Sequence, residues 1–412
     1  MSSSAIRRRS VHAAAGPRRE ARDARRALVT LWCAWLVLMT GTNLATPLYA
    51  VYAKRFGFSS LLLTVIFAVY AIVLVPSLIL FGRLSDRFGR RVVILLGLGA
   101  SVGGLVLFAY ASSTAWLFGA RALQGLAVGM ISGAATAALV ELDVCGDERR
   151  PAMLAGLAQA GGSGLGPLVA GALAEWAPDP LRLSFLALLA CTLVAAALVF
   201  ALVPREASGD HEPWRIQLPR VPAEIRGDFA RVGLAAGTVW GALALSLSIV
   251  PSYVEHILAT HDLALIGALG ALALGSSCIA QLAARRLAPP GRRVQAGGLA
   301  TLTVGMVALA AAGPLHSLAV LLAGAVCTGA GHGFAFVFAQ YELNMIAPSE
   351  RRGEVTAAFV SCIYVVVATA VIGAGLLDLV LSLNAAVSAV AVGLGAVATA
   401  TAAWELRAAR ST

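Results

Sequence analysis

The sequence predicts an all-α integral membrane protein with about twelve transmembrane helices in two pseudo-symmetric six-helix bundles. Three observations predict it. Of the 412 residues 59% are hydrophobic and 13% charged, with a mean hydropathy of +0.83, whereas about a quarter of residues are charged in an average soluble domain. The apolar residues gather into runs of roughly 20, the helical length that crosses a ~30 Å hydrocarbon core. Two loop motifs also recur in one register: Gly89-Arg90-Arg91-Val92 returns as Gly291-Arg292-Arg293-Val294, and Glu148-Arg149-Arg150 as Glu350-Arg351-Arg352. Both recurrences are displaced by 202 residues, from 89 to 291 and from 148 to 350.

The chain opens with a basic arm, residues 1–27, carrying Arg7, Arg8, Arg9, Arg18, Arg19, Arg22, Arg25 and Arg26. Charge repulsion and low apolar content predict disorder there, with the arm lying on anionic lipid of the inner leaflet. Basic-then-apolar order is also the form of a secretory signal, but Leu28 to Val51 exceeds the usual apolar core of about 7–15 residues. It is read as the first span. Further spans follow at Leu61–Phe81, Val92–Ala111, Trp116–Val140, Ala152–Ala174 and Ser184–Val203, closing an N-terminal bundle over 28–203. The polar stretch 204–231, with Pro213, Pro219 and Pro222, reads as a linker. The C-terminal bundle, 232–404, takes Val232–Val254, Ala264–Leu282, Val294–Ala312, Leu318–Phe338, Val355–Leu376 and Asn384–Ala403, and residues 405–412 form a tail. The ninth span, short and rich in Gly and Ala, is the weakest of the twelve.

Charge sets the orientation. With the N-terminus inside, only Lys54, Arg55, Arg121 and Arg182 of the 31 basic residues fall away from the cytoplasmic side, which is the bias expected of a multi-pass protein of the plasma membrane with both termini cytoplasmic. The net charge of +10 and pI near 9.9 therefore serve topology. A nucleic-acid partner would need a basic face on a soluble domain, and none is expected.

The loop Gly82-Arg83-Leu84-Ser85-Asp86-Arg87-Phe88-Gly89-Arg90-Arg91 joins the second and third spans. Gly82 and Gly89 permit a sharp reversal. An ordinary positive-inside loop would explain the arginines but not Asp86 between two glycines. The pattern resembles the signature loop of the major facilitator superfamily, Gly-x-Leu-(Ala/Ser)-Asp-Arg-x-Gly-Arg-(Arg/Lys), at every specified position. The resemblance implies a secondary transporter that binds a small-molecule substrate between its halves, with Gly82, Asp86, Arg87, Gly89, Arg90 and Arg91 as a conformational switch. The second copy has Pro289 and Pro290 and no acid, leaving the switch to the first half.

The fifth span carries Gly162, Gly166, Pro167 and Gly171. As a packing seam, the glycines let another helix approach closely and the proline kinks the span. The spacing also resembles the antiporter motif of the superfamily's drug and metabolite exporters, which points towards efflux. In the fourth span Arg121, Gly125, Val128, Ser132 and Thr136 share one small or polar face. A buried membrane arginine is functional by default, and Arg121-x-x-Gln124-Gly125 resembles the superfamily motif whose arginine is associated with proton coupling. The competing reading is snorkelling to the outer interface.

Other polar groups inside spans are few. Thr42, Asn43 and Thr46 precede Pro47; Gln159 lies a turn before Ser163; Trp240, Ala244, Ser248, Ser252 and Glu255 share a face; His332 is in line with Gly329, Phe336 and Gln340; Tyr364 stands in the eleventh span. Asn43, Thr46, Gln159, Ser248, Ser252, Phe336, Gln340 and Tyr364 are the candidate cavity residues, a set suited to an amphiphilic organic solute. Interhelical hydrogen bonding is the competing role for each. Neither the first span nor the middle of the fourth holds a carboxylate, so candidates for the coupling proton are Arg121, Glu255, His332 and Glu342. The six cysteines form no Cys-x-x-Cys pair. No metal-ligand cluster, phosphate loop or nucleophile with a base appears, which argues against an enzyme, a cofactor or an ATP-driven pump. The expectation is a monomeric, proton-coupled exporter of drug-like or secondary-metabolite compounds. Import or facilitated passage of a sugar, organic acid or aromatic is the second reading, and a non-transporting membrane sensor the third.

Overall fold

A computed structural model describes residues 17–143, 149–205, 220–258, 262–284, 291–348 and 351–409; the side chains of Asp86, Ser252 and Glu255 lie outside the described set. Among the described residues the chain forms twelve long helices: α1 Pro17–Asn43, α2 Ser60–Phe88, α3 Arg90–Ala109, α4 Thr114–Leu142, α5 Arg149–Trp176, α6 Leu183–Leu202, α7 Arg226–Leu258, α8 Leu263–Ala284, α9 Arg292–Ala312, α10 Leu318–Ile346, α11 Arg352–Leu377 and α12 Leu383–Ala408. A 3-10 turn, Thr46–Leu48, and a short helix, Tyr49–Phe56, continue the first span beyond α1.

Among the described residues eleven stretches are long and apolar enough to cross a membrane. The ninth helix is among them and the fifth is not, the reverse of the ranking drawn from sequence. Gln159, Ser163, Pro167 and six glycines lower the apolarity of α5, which is flanked by α1 and α8. Large apolar side chains including Ile72, Phe200, Ile279 and Val365 point outward and are exposed, the surface expected where lipid, not water, is the solvent.

The two halves pack by one scheme. In the first, α4 lies against α2, α3 and α1; α3 against α6; and α1 against α5 and α6. In the second, α10 lies against α8, α9 and α7; α9 against α12; and α7 against α11 and α12. Adding six to each number of the first set gives the second. The halves meet through α5 on α8 and α2 on α11, pairs that the same operation exchanges.

Three boundaries differ from the sequence reading. The arm is helical over the described part from Pro17 onward, where Glu20 stands in the first turn and Asp23 pairs with Arg26 at 3.8 Å. Residues 1–16 lie outside the described set. The linker ends sooner than expected, α7 starting at Arg226 after a 3-10 turn at Ala223–Ile225. Finally, the signature stretch is not an open loop. Helix α2 runs to Phe88 and α3 starts at Arg90, so Gly89 alone reverses the chain, at φ 88° and ψ 144°.

Candidate functional site

A cavity of about 100 Å³ lies between the halves. The first half contributes Met39, Thr42 and Asn43 from α1, Phe67, Ala68, Tyr70 and Ala71 from α2, Arg121 from α4, and Gln159 and Ser163 from α5; the second contributes Trp240, Leu243, Ala244 and Leu247 from α7 and Tyr364, Val367, Ala368 and Val371 from α11. The Tyr70 and Tyr364 hydroxyls approach to 3.4 Å across the divide, their rings edge-on at 6.0 Å. At the end away from the arginine-rich loops, the 3-10 turn Thr46–Leu48 contacts α7 and α8, and the Leu263 N–H donates to Glu175 Oε2 at 3.0 Å. There the halves are closed on each other.

Arg121 owes its place to two local features. Gly125 and Gly129 bring α4 against α2; a Cβ at Gly125 would fall on the Tyr70 carbonyl oxygen, and one at Gly129 on the Ser77 side chain. One turn earlier, Arg121 therefore lies over the α2 aromatics, its guanidinium carbon 4.6 Å from the Phe67 ring centroid and 5.2 Å from that of Tyr70. The second feature is the break in α1 before Pro47. Proline has no N–H to give to the preceding turn and its ring crowds the carbonyl four residues back, so α1 stops at Asn43, and of its last carbonyls that of Gly41 keeps only a long backbone bond, from the Leu44 N–H at 3.4 Å. Side chains of α4 add donors. Arg121 Nη1 donates to the Thr42 carbonyl at 2.8 Å and to Gln124 Oε1 at 3.0 Å, while Gln124 Nε2 donates to the Gly41 carbonyl at 2.7 Å. Arg121 is 3% exposed. It reaches the cavity wall rather than the outer interface.

On the other side Trp240 separates the cavity from His332. The two rings meet edge-on at 4.6 Å, and Phe336 lies 5.5 Å from Trp240 and 5.4 Å from His332. His332 Nδ1 sits 2.8 Å from Ser277 Oγ, which accepts from Gln281 Nε2 at 3.1 Å; His332 Nε2 is buried without a partner. Gly329 and Gly333 make this possible, since a Cβ at either would strike an α8 carbonyl oxygen.

The structure thus gathers Asn43, Gln159, Tyr364 and Arg121 around one space. Thr46 is buried in the 3-10 turn with its hydroxyl unpartnered, Ser248 Oγ donates to the Leu245 carbonyl at 3.0 Å, Phe336 lies behind Trp240, and Gln340 is exposed. Glu342 stands far along α10 in a charged cluster. Arg231, 2% exposed, contacts Glu405, Glu342 and, at 3.1 Å, Asp228, and Arg292 lies 3.4 Å from Glu342. The first half has a counterpart: Arg90 donates through Nε and Nη2 to Glu141 at 3.0 and 2.8 Å, and Arg91 Nη1 to the Val203 carbonyl at 3.2 Å. Arg87 lies over the Phe88 ring. The side chains of Glu255, Ser252 and Asp86 fall outside the described set, and Gly82 is described only as part of α2. Phe67 and Tyr70 were not among the sequence candidates. Their signal is an aromatic pair three apart, hence on one helix face, inside an apolar run where aromatics usually mean lipid or core.

The glycines of α5 face two ways. Gly162 and Gly166 lie on α1: a Cβ at Gly162 would come within 2.5 Å of the Leu36 carbonyl oxygen, and one at Gly166 within 3.0 Å of the Leu44 nitrogen. Gly171 and the Pro167 carbonyl lie on α8, where a Cβ at Gly171 would be 3.1 Å from Gly267 Cα. The motif is both an internal seam and part of the contact between halves.

The profile of the Major Facilitator Superfamily matches residues 31–371. Among curated proteins, the bacillibactin exporter of Bacillus subtilis is 29% identical over 154 residues, 34% of this chain and 37% of that protein. The multidrug efflux pump LfrA of Mycolicibacterium smegmatis is 36% identical over 108 residues, 26% of this chain and 21% of that pump. The aligned part thus spans well under half the length of these relatives. The crystal structure of the human organic anion transporter MFSD10 (TETRAN) superposes with a TM-score of 0.68 over 92% of this chain and 99% of that one, at 17% identity.

Proposed function

Because the chain belongs to the Major Facilitator Superfamily, and so to its secondary transporters, we propose that it exports a small organic compound from the cytoplasm by alternating access, in exchange for protons. The cavity walled by α1, α2, α4 and α5 on one side and α7 and α11 on the other supports this reading most directly, because rocking of two halves about α5–α8 and α2–α11 would expose it to each face in turn. The partial likeness to two exporters supports the direction. In this reading the arginine-rich end is cytoplasmic and the membrane is the plasma membrane. Residues Gly82 to Arg91 act as the switch, with Arg90 and Arg91 fastening α3 to the ends of α4 and α6. Coupling runs through Arg121, His332, Glu255 or Glu342.

Inside-out vesicles, acidified by respiration and followed with a pH-sensitive dye, test it. Export coupled to protons releases them when substrate is added, and Asp86→Asn, though inserted, loses the signal. One observation favours facilitated passage as a second reading: no carboxylate is among the described residues that line the cavity. Solute movement down its own gradient, with no proton release for any compound, would select it.

A further inference from the structure

Arg121 places a positive charge on the cavity wall, and among the described residues no carboxylate lies within ion-pair distance of it. A guanidinium offers five N–H donors in a planar fork. Here both hydrogen bonds leave from Nη1, to Thr42 and Gln124, while Nε is buried without a partner and Nη2 donates to no described residue. That leaves Nη2 to donate into the space, where a carboxylate would accept a charge-assisted hydrogen bond from it. A buried cation without its counter-ion is destabilising, and ring faces and carbonyl dipoles compensate it only in part. Of the rest of the wall, Thr42, Asn43, Gln159 and Ser163 are polar and the remainder is aromatic or apolar, with Phe67, Tyr70 and Trp240 around the space.

We propose that the cavity takes a small organic anion, its carboxylate on Nη2 of Arg121 and a flat apolar body against Phe67, Tyr70 and Trp240. This rests on the transporter reading in taking the cavity as the solute site. The size follows from the volume. An apolar cavity of about 150 Å³ takes up benzene, so a space of about 100 Å³ admits a single ring only by widening, and nothing larger. Lipophilic cations are rejected by the same charge that draws the anion.

Equilibrium dialysis of the purified full-length protein against radiolabelled benzoate, benzamide and benzylammonium tests this with one ring and three charges. Benzoate should bind at least ~10-fold more tightly than benzamide, the range of one charge-assisted hydrogen bond, and benzylammonium should not bind. Arg121→Gln should bring benzoate down to the benzamide level. Arg121→Lys, which keeps the charge but not the fork, should retain the preference at a smaller ratio and guards against a glutamine variant that fails to fold. Equal binding of benzoate and benzamide, binding of benzylammonium, or a preference that survives Arg121→Gln overturns the anion site and leaves the transporter reading standing. Binding of none of the three also overturns it, while the vesicle experiment judges export independently with other solutes.

Discussion

The two faces of α5 should separate folding from movement. At Gly166 a methyl group would strike the Thr40 carbonyl and sit 3.0 Å from the Leu44 nitrogen, both on α1 in the same half. At Gly171 it would strike the Leu263 carbonyl and sit 3.1 Å from Gly267 Cα, on α8 in the other half. In each case the obstacle is backbone, which cannot swing aside as a side chain can, so about 1–3 kcal/mol of overpacking is expected. The outlets differ. In the proposed cycle the α1–α5 seam, internal to one half, stays packed, so Gly166→Ala should lower the thermal unfolding midpoint in detergent. In that proposed cycle the α5–α8 contact at this end parts when the cavity opens outward, so Gly171→Ala would relieve its clash by opening, and 1–3 kcal/mol shifts a two-state balance about 5–150-fold. A cysteine at Ser163, on the cavity wall, reads that balance in a background with the native cysteines replaced, by its rate of labelling with a membrane-impermeant maleimide added outside. Gly171→Ala should raise the rate within that range and Gly166→Ala should leave it unchanged. Equal labelling in the two variants would refute the division of the motif into two seams.

Two further substitutions test the ends of the bundle. Gly89 turns the chain at φ 88° and ψ 144°, backbone that side chains avoid at a penalty of about 1–3 kcal/mol, so Gly89→Ala should reduce the folded fraction on size exclusion; Gly57→Asn, at φ 67° and ψ 37° where asparagine is tolerated, should not, and equal behaviour of the two would remove the special status of Gly89. Glu405 is fully buried against Arg231, and Glu405→Gln, which withdraws one charge of a buried pair, should cost up to about 3–5 kcal/mol and lower the unfolding midpoint while transport per folded molecule persists; an unchanged midpoint would show that Glu342 and Asp228 hold Arg231 unaided.

Much of the fold was legible because membrane helices announce themselves by length. The twelve runs and the 202-residue register need no tertiary information, and the duplicated Arg90 and Arg292 do fasten equivalent helix ends, to Glu141 and Glu342. Boundaries were less legible where charge competes with helix propensity. Arginine is a good helix former, so the arm from Pro17 and the turn of α2 up to Phe88 are helical despite their polarity. In the site, Asn43, Gln159 and Tyr364 stood out as polar groups in apolar spans. Phe67 and Tyr70 did not, since their role depends on which face of α2 meets α4, and that is decided by Gly125 and Gly129 on another helix. The same applies to Arg231. It was read as the last residue of a linker, yet it is buried by carboxylates 111 and 174 residues away, a partnership that sequence spacing does not reveal.

An anionic solute would also change what coupling has to accomplish. With the interior negative, a monoanion leaving the cell moves with the potential, a gain of about 2.3 kcal/mol per 100 mV, or roughly 50-fold in concentration ratio. Exchange for an entering proton carries a second positive charge inward and doubles that term, before any pH difference is counted. An exporter with Arg121 as its solute anchor can therefore work without a carboxylate on the cavity wall, because the potential already pulls in the right direction. An importer of the same anion would have to overcome the potential and would need more coupling chemistry than the described cavity holds. The lack of a carboxylate among the described residues of the wall, which taken alone favours facilitated passage, is thus what an exporter of anions would be expected to tolerate, and the sign of the solute's charge becomes the property on which direction and coupling both turn.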